Sequence, residues 1–125
     1  MEVKKISTAI ITDKIEETKN FYTQKLDAHI TFDCGWYCIL SFGVGSNEIQ
    51  FMQPQSEKDK LFQNQGVTYN ISVEDVDTEF ERLSDKGVEI VEPIADHPWG
   101  DRSFVVCDPN GVRLYIYSDR EPAEE

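Results

Sequence analysis

Five aromatic side chains and a few charged ones carry the chemistry open to this chain. Trp36, Tyr37, Trp99, Tyr115 and Tyr117 fall in strand-like or loop-like stretches, and a flat ring with a polar tip suits a planar or cationic ligand. Packing in a core is their other use. Glu48, Asp96 and Asp101 could place negative charge beside those rings, although acidic side chains are mostly solvated. Arg102 and Arg113 flank one turn; a guanidinium in a cleft would instead read a carboxylate or a phosphonate, while on the surface it would pair with the acidic excess. The two histidines have plain readings, His29 as a strand residue and His97 as part of an Asp-His-Pro loop. Cys34 and Cys38 stand four apart around Gly35, a hairpin spacing rather than that of a Cys-His metal site. None of these sets forms a catalytic group.

The stretch from Asp96 to Ser118 must position most of these residues. Asp108-Pro109-Asn110-Gly111 is a turn: Pro109 pre-sets its own φ, Asp108 can accept hydrogen bonds from the residues ahead, and Gly111 tolerates the exit conformation. The runs on either side, Ser103 to Cys107 and Val112 to Tyr117, read as strands of one hairpin. Upstream, Ile6 to Thr12 is a β-branched first strand. Asp13 and Glu16 resemble a capping box, and Ile15, Phe21, Tyr22 and Leu26 lie roughly on one face of a helix ending near Asp27. Ala28 to Asp33, Trp36 to Phe42 and Glu48 to Met52 follow as strands.

Pro54 to Gly66 is polar and reads as a linker in which Leu61 and Phe62 could anchor a turn of helix. Then the pattern restarts. Val67 to Val73 is a strand, Asp75 an N-cap, and Val76, Phe80 and Leu83 the apolar face of a helix stopped by Gly87; strands from Glu89 to Pro93 and in the hairpin complete it. Ile15 precedes Val76 by 61 residues, and Tyr22 precedes Leu83 by the same interval, so the chain reads as a degenerate tandem repeat. The expectation is an α+β fold: one domain over residues 1–125, with βαβββ halves at about 5–54 and 66–118 whose curved mixed sheets enclose a cleft.

Composition bounds the rest. A chain of 125 residues with 39% hydrophobic side chains has room for one domain with a real core. The net charge of −12 repels phosphate backbones, so no nucleic-acid partner is expected. No apolar run reaches the ~18 residues that span a bilayer, and nothing at the start resembles a secretory signal. A cytoplasmic location and no membrane partner are therefore expected. Three cysteines, Cys34, Cys38 and Cys107, fit reduced thiols better than a disulfide framework.

With its two halves and closing hairpin, the chain resembles the glyoxalase, bleomycin-resistance and extradiol-dioxygenase superfamily, the vicinal oxygen chelate proteins. The run Trp99-Gly100-Asp101-Arg102-Ser103-Phe104 before the turn looks most like the bleomycin-resistance branch. In metal-dependent members the ligands come from the first and last strands of each half. The resemblance places those positions at Ser7, Gln50, Thr68 and Tyr115, with Glu48 as a same-face alternative to Gln50. Hydroxyls and one amide are not the donors a Zn-, Fe-, Ni- or Mn-type ion needs. The resemblance thus implies a small-molecule binding protein of the antibiotic-resistance type with no metal and no cofactor, sequestering a planar or cationic compound. Its expected ligand-binding residues are Trp36, Gln50, Trp99, Arg102, Arg113 and Tyr115, and a homodimer would close the half-site. Two alternatives stand beside it: a glyoxalase-like lyase or isomerase, or a dioxygenase-related enzyme, using a divalent metal; and a metabolite-binding regulatory module.

Overall fold

Two four-stranded sheets, each covered on one side by a single helix, make up the fold. The computed structural model describes residues 1–45 and 47–120. The chain divides into two compact units, Met1–Gln63 and Asn64–Glu125, and the division falls inside the polar 54–66 stretch.

In the first unit β1 (Ala9–Ile11) leads into α1 (Ile15–Lys25), and β2 (His29–Asp33), β3 (Tyr37–Ser41) and β4 (Glu48–Met52) follow in the spatial order β1-β4-β3-β2. β1 runs parallel to β4 with Ala9 opposite Gln50, and the other neighbours are antiparallel. Cys38, Leu40, Ile49 and Phe51 are buried, and Tyr22 of α1 tilts against Phe51 at 5.4 Å between ring centroids. Tyr37, Ile39, Glu48, Gln50 and Met52 therefore occupy the helix-free face.

Two expectations for this unit are corrected. The first strand is shorter than Ile6 to Thr12: it is paired with β4 only over Ala9–Ile11, opposite Gln50–Met52, and in that register Ile6 falls before β4 begins. Lys14, not Asp13, takes the N-cap position of α1 and offers no side-chain cap; the turn into the helix is held by Thr12 Oγ1, which accepts from the Lys14 N–H at 2.9 Å.

The second unit repeats the plan. β5 (Thr68–Ser72), α2 (Val76–Asp85), β6 (Ile90–His97), β7 (Asp101–Cys107) and β8 (Arg113–Asp119) form a sheet of order β5-β8-β7-β6, again with one parallel pair, β5 and β8. The helices begin at Ile15 and Val76, the offset read from the sequence. Asn70 opposite Tyr115 matches Ala9 opposite Gln50, so Gln50 and Tyr115 hold equivalent places.

Asp75 caps α2 by accepting from the Thr78 N–H at 3.2 Å. The helix closes when the Gly87 and Val88 N–H groups return to the Ser84 and Leu83 carbonyls at 3.0 Å each, with Gly87 at φ +78. In the hairpin turn Asp108 Oδ1 accepts from the N–H groups of Asn110 at 2.7 Å and Val112 at 3.0 Å.

The strand expected to stop at Pro93 instead continues to His97. β6 is the sheet's outer strand and its register shifts twice between Ile90 and Ala95, and an edge with bulges is where a residue lacking an N–H is tolerated. The 54–66 stretch contains no helical turn. It is tied down by the backbone, the Phe62 N–H donating to the Ile11 carbonyl at 2.9 Å. No helix among the described residues is long and apolar enough to cross a membrane.

The three thiols rank by environment: Cys34 is exposed, Cys107 half-buried and Cys38 buried. Burial pushes Cys38 up to about 11 and also raises Cys107, and the thiolate is the reactive form. An aromatic disulfide reagent at pH 8, followed by peptide mass spectrometry, should label Cys34 first, Cys107 slowly and Cys38 only in denaturant. Labelling of Cys38 as fast as Cys34 would contradict its place under α1.

Candidate functional site

The register of the β7–β8 hairpin decides which candidate residues can act together. Cys107 stands opposite Arg113, and counting back from there sets Val105 opposite Tyr115, Ser103 opposite Tyr117 and Asp101 opposite Asp119. These residues share the helix-free face of the second sheet. The intervening set, Phe104, Val106, Leu114, Ile116 and Ser118, faces α2: Phe80 meets Phe104 edge-on at 5.2 Å, and the Val76 N–H donates to Ser118 Oγ at 3.0 Å.

On the helix-free face three side chains form a directed chain of hydrogen bonds. The Trp99 indole N–H donates to the Tyr115 hydroxyl at 3.3 Å, and that hydroxyl donates to Asp101 Oδ2 at 2.7 Å. An indole can only donate and an ionised carboxylate can only accept, so the direction is fixed at both ends. The turn after β6 delivers Trp99: the Gly100 N–H donates to the His97 carbonyl at 3.1 Å, and the Arg120 N–H to the Gly100 carbonyl at 2.8 Å. The His97 ring lies flat on Trp99, with centroids 4.4 Å apart and planes 3° from parallel. Trp99 is nonetheless 67% exposed. Tyr117 completes the aromatic surface, 5.9 Å from Tyr115.

Asp101 is the residue a sequence reading undervalues. The sequence leaves it either as negative charge beside the rings or as an ordinary solvated acid; it is only 8% exposed, and its Oδ1 has no hydrogen-bond partner among the described residues. Burying such an oxygen unpaired costs on the order of 1–3 kcal/mol or more, so the fold maintains it at a loss.

The other candidates are placed as follows. Arg113 shares the face of Tyr115, but its guanidinium donates to Glu92 at 2.5 Å. Arg102 stands on the opposite face, where Asp77 of α2 takes its Nε and Nη2 at 3.1 and 3.0 Å, so it is not brought together with Tyr115. In the first unit the Tyr37 hydroxyl donates to Gln50 Oε1, and Trp36 and Phe32 flank Tyr37 at 5.6 and 6.2 Å. Each unit thus carries a tyrosine hydroxyl bonded to a buried acceptor on its helix-free face. His97, counted as a loop residue in the sequence, ends β6 opposite Asp101. Its parity with Asp101 becomes readable only once β6 is known to run through Pro93.

The residues at the positions that the resemblance assigns to metal ligands do not fit a transition metal. Ser7 and Thr68 are exposed hydroxyls, Gln50 is an amide engaged by Tyr37, and Tyr115 is a phenol that donates to Asp101. The same-face alternative, Glu48, is paired with Lys5 at 2.5 Å. Among the described residues no three or more His, Cys, Asp or Glu side chains group so as to hold a metal ion. Such an ion needs thiolate, imidazole or carboxylate donors in number, so no reaction step is derived through one.

A strand, a helix and three strands, repeated once and arranged as two mixed sheets, define an α+β fold of the glyoxalase type. The chain belongs to the Glyoxalase/Bleomycin resistance protein/Dioxygenase superfamily, whose family model matches residues 6–116. Solved structures agree on the fold. A glyoxalase/bleomycin resistance protein/dioxygenase from Nocardioides superposes with a TM-score of 0.75 at 20% identity, covering 100% of this chain and 91% of that one. A superfamily member from Sphaerobacter thermophilus gives 0.74 at 22% identity, covering 90% and 94%. In sequence, an uncharacterised protein of Mycobacterium bovis is 44% identical over 45 residues, which is 36% of this chain and 30% of that protein. The match therefore spans less than a third of that relative's length.

Proposed function

We propose that this chain is a binding protein of the bleomycin-resistance type, which takes up a planar small molecule on the helix-free face of its second sheet and needs no metal to do so. One observation carries the reading: Trp99 has its N–H fixed to the Tyr115–Asp101 pair while 67% of its surface stays in solvent. A tryptophan that merely packed would be covered. A ring held by its edge and offered by its surface is a ready stacking partner, and holding it beforehand lowers the ordering cost of binding. An anionic ligand is the weaker reading, since Arg113 is already occupied by Glu92. A metal-assisted lyase or isomerase would need an electrophile that these donor sets do not supply.

A titration followed by tryptophan fluorescence tests this with fused-ring aromatic compounds of positive, neutral and negative charge. At least one should change the Trp99 signal saturably, and Trp99→Ala should weaken binding severalfold, as expected for a stacking contact of ~0.5–1.5 kcal/mol with its buried area added. Tyr115→Phe removes the acceptor of the indole N–H and should weaken it less; it also takes from the buried Asp101 Oδ2 its donor and should lower thermal stability, which Trp99→Ala should hardly change. The reading fails if no compound of any charge binds, or if Trp99→Ala binds as the wild type does.

A further inference from the structure

We infer that the His97 ring is part of the binding site: it closes one face of Trp99, leaves the other to the ligand, and by its protonation sets which ligand charge that face accepts. The inference rests on the planar-ligand reading and adds a residue and a control to it. The turn after β6 builds the stack. In His97-Pro98-Trp99-Gly100 the Gly100 N–H returns to the His97 carbonyl at 3.1 Å, Pro98 pre-sets the backbone of the second position, and Gly100 leaves at φ +106. The side chains of the first and third positions meet, with ring centroids 4.4 Å apart and planes 3° from parallel. The indole edge is held as well, by its N–H on the Tyr115 hydroxyl. Trp99 is still 67% exposed, so with one face covered and one edge fixed, the surface it offers is the opposite face. A ligand reaches that face without any part of the fold opening.

His97 is the one imidazole of the second unit, and an imidazole changes charge between about pH 5 and 8. Its surroundings are acidic. Its cross-strand partner Asp101 lies on the same face, Asp119 stands across from Asp101 on β8, and Asp96 precedes it on β6. The neighbouring guanidiniums are engaged: Arg102 by Asp77 of α2 at 3.0 Å and Asp96 at 3.4 Å, Arg120 toward Asp77 at 3.8 Å, and Arg113 by Glu92 at 2.5 Å. With His97 neutral, the charges left on this face are those of Asp101 and Asp119, and they favour a cation on the open side of Trp99. An imidazolium reverses the preference. It offsets one carboxylate and draws on the indole π-system from behind, and a cation stacked ~3.5–4 Å in front of the ring then meets a like charge through it.

Three probes of fixed charge isolate the effect: N-methylquinolinium, 2-naphthalenemethanol and 2-naphthalenesulfonate. Each is titrated against the full chain at about pH 8 and about pH 5.5, followed by calorimetry and by the Trp99 indole N–H resonance. At the lower pH the cation should bind the wild type at least ~3-fold more weakly and the sulfonate at least ~3-fold more tightly, as one unit charge acting across a ring implies. The neutral alcohol should change by less than about twofold. His97→Phe keeps a flat ring behind Trp99 without the charge, so all three probes should bind as they do to the wild type at the higher pH, and the opposed pH dependences should vanish. His97→Ala removes the ring and should weaken the neutral probe severalfold, which His97→Phe should not. In the ligand-free protein the Trp99 resonance should move between the two pH values in the wild type and stay in place in His97→Phe. Affinities of the charged probes that do not change with pH in the wild type overturn the inference while leaving the planar-ligand reading intact, and this comparison decides even if a variant fails to fold. A pH dependence that persists in folded His97→Phe also overturns it. If none of the three probes moves the Trp99 resonance, the planar-ligand reading falls and the inference with it.

Discussion

Phe104→Ala is expected to remove about 3–5 kcal/mol of folding stability, the largest loss expected from a single side chain in the second unit. Phe104 is 1% exposed and meets Phe80 of α2 edge-on at 5.2 Å with an interplanar angle of 79°. It is also the middle residue of β7, paired with Ile116, so the vacated volume is walled by two strands and a helix. Three sides that cannot all collapse leave a cavity, and the cavity adds to the lost transfer free energy. A domain of this size has about 5–15 kcal/mol in total, and this one change consumes a large share of it. Urea unfolding should show the midpoint falling steeply at unchanged slope. Phe32→Ala is the control: the same residue type on the outer strand β2 is half-exposed and should cost less than about 1 kcal/mol. If Phe32→Ala proves the more damaging, the assignment of the helix-side core is wrong.

The same contrast shows what could be read before any coordinates. The two helices and their 61-residue offset were legible because Ile15, Tyr22, Val76 and Leu83 recur at helical spacing and all four are buried. Turn chemistry made Asp108 to Gly111 legible as well. What failed was anything set by a strand's position in its sheet: a proline reads as a stop, yet on the outer strand β6 it costs no ladder bond that matters, and the strand runs on to His97. Arg102 is a parity problem. With Cys107 opposite Arg113, Arg102 falls opposite Ser118 and so across the sheet from Tyr115; the period of two contained that fact, but only once the turn had fixed the register. Asp101 was less accessible still. Alternation can put it on the face of Tyr115, but its burial and its unpaired oxygen depend on where the 98–100 turn sets Trp99.

Gly111→Ala should cost about 2–4 kcal/mol, more than its single added carbon suggests. Gly111 sits at φ +81, where any other residue is strained, and an added Cβ would lie 2.6 Å from Asn64 Oδ1 and 2.9 Å from Asn64 Cβ. Rotating the Asn64 side chain cannot relieve the second contact, because Asn64 Cβ is fixed by the backbone. The two contributions separate in a double-mutant cycle. Asn64 is itself left-handed at φ +63, so Asn64→Gly suits its backbone and removes the obstructing atoms. Asn64→Gly/Gly111→Ala should therefore be more stable than Gly111→Ala alone, with a coupling of ~1–2 kcal/mol. Gly35→Ala supplies the reference for backbone strain alone, since Gly35 has φ +96 but nothing within 4 Å of the added carbon. If the two substitutions add independently, the Asn64 contact does not define the turn. If they couple, the consequence reaches the site. The turn sets Cys107 opposite Arg113, that register puts Tyr115 and Asp101 on one face, and a one-residue slip would send one of them to the α2 side. Loss of the Trp99 signal in Gly111→Ala, and its return in the double variant, would tie ligand binding to the register of this hairpin.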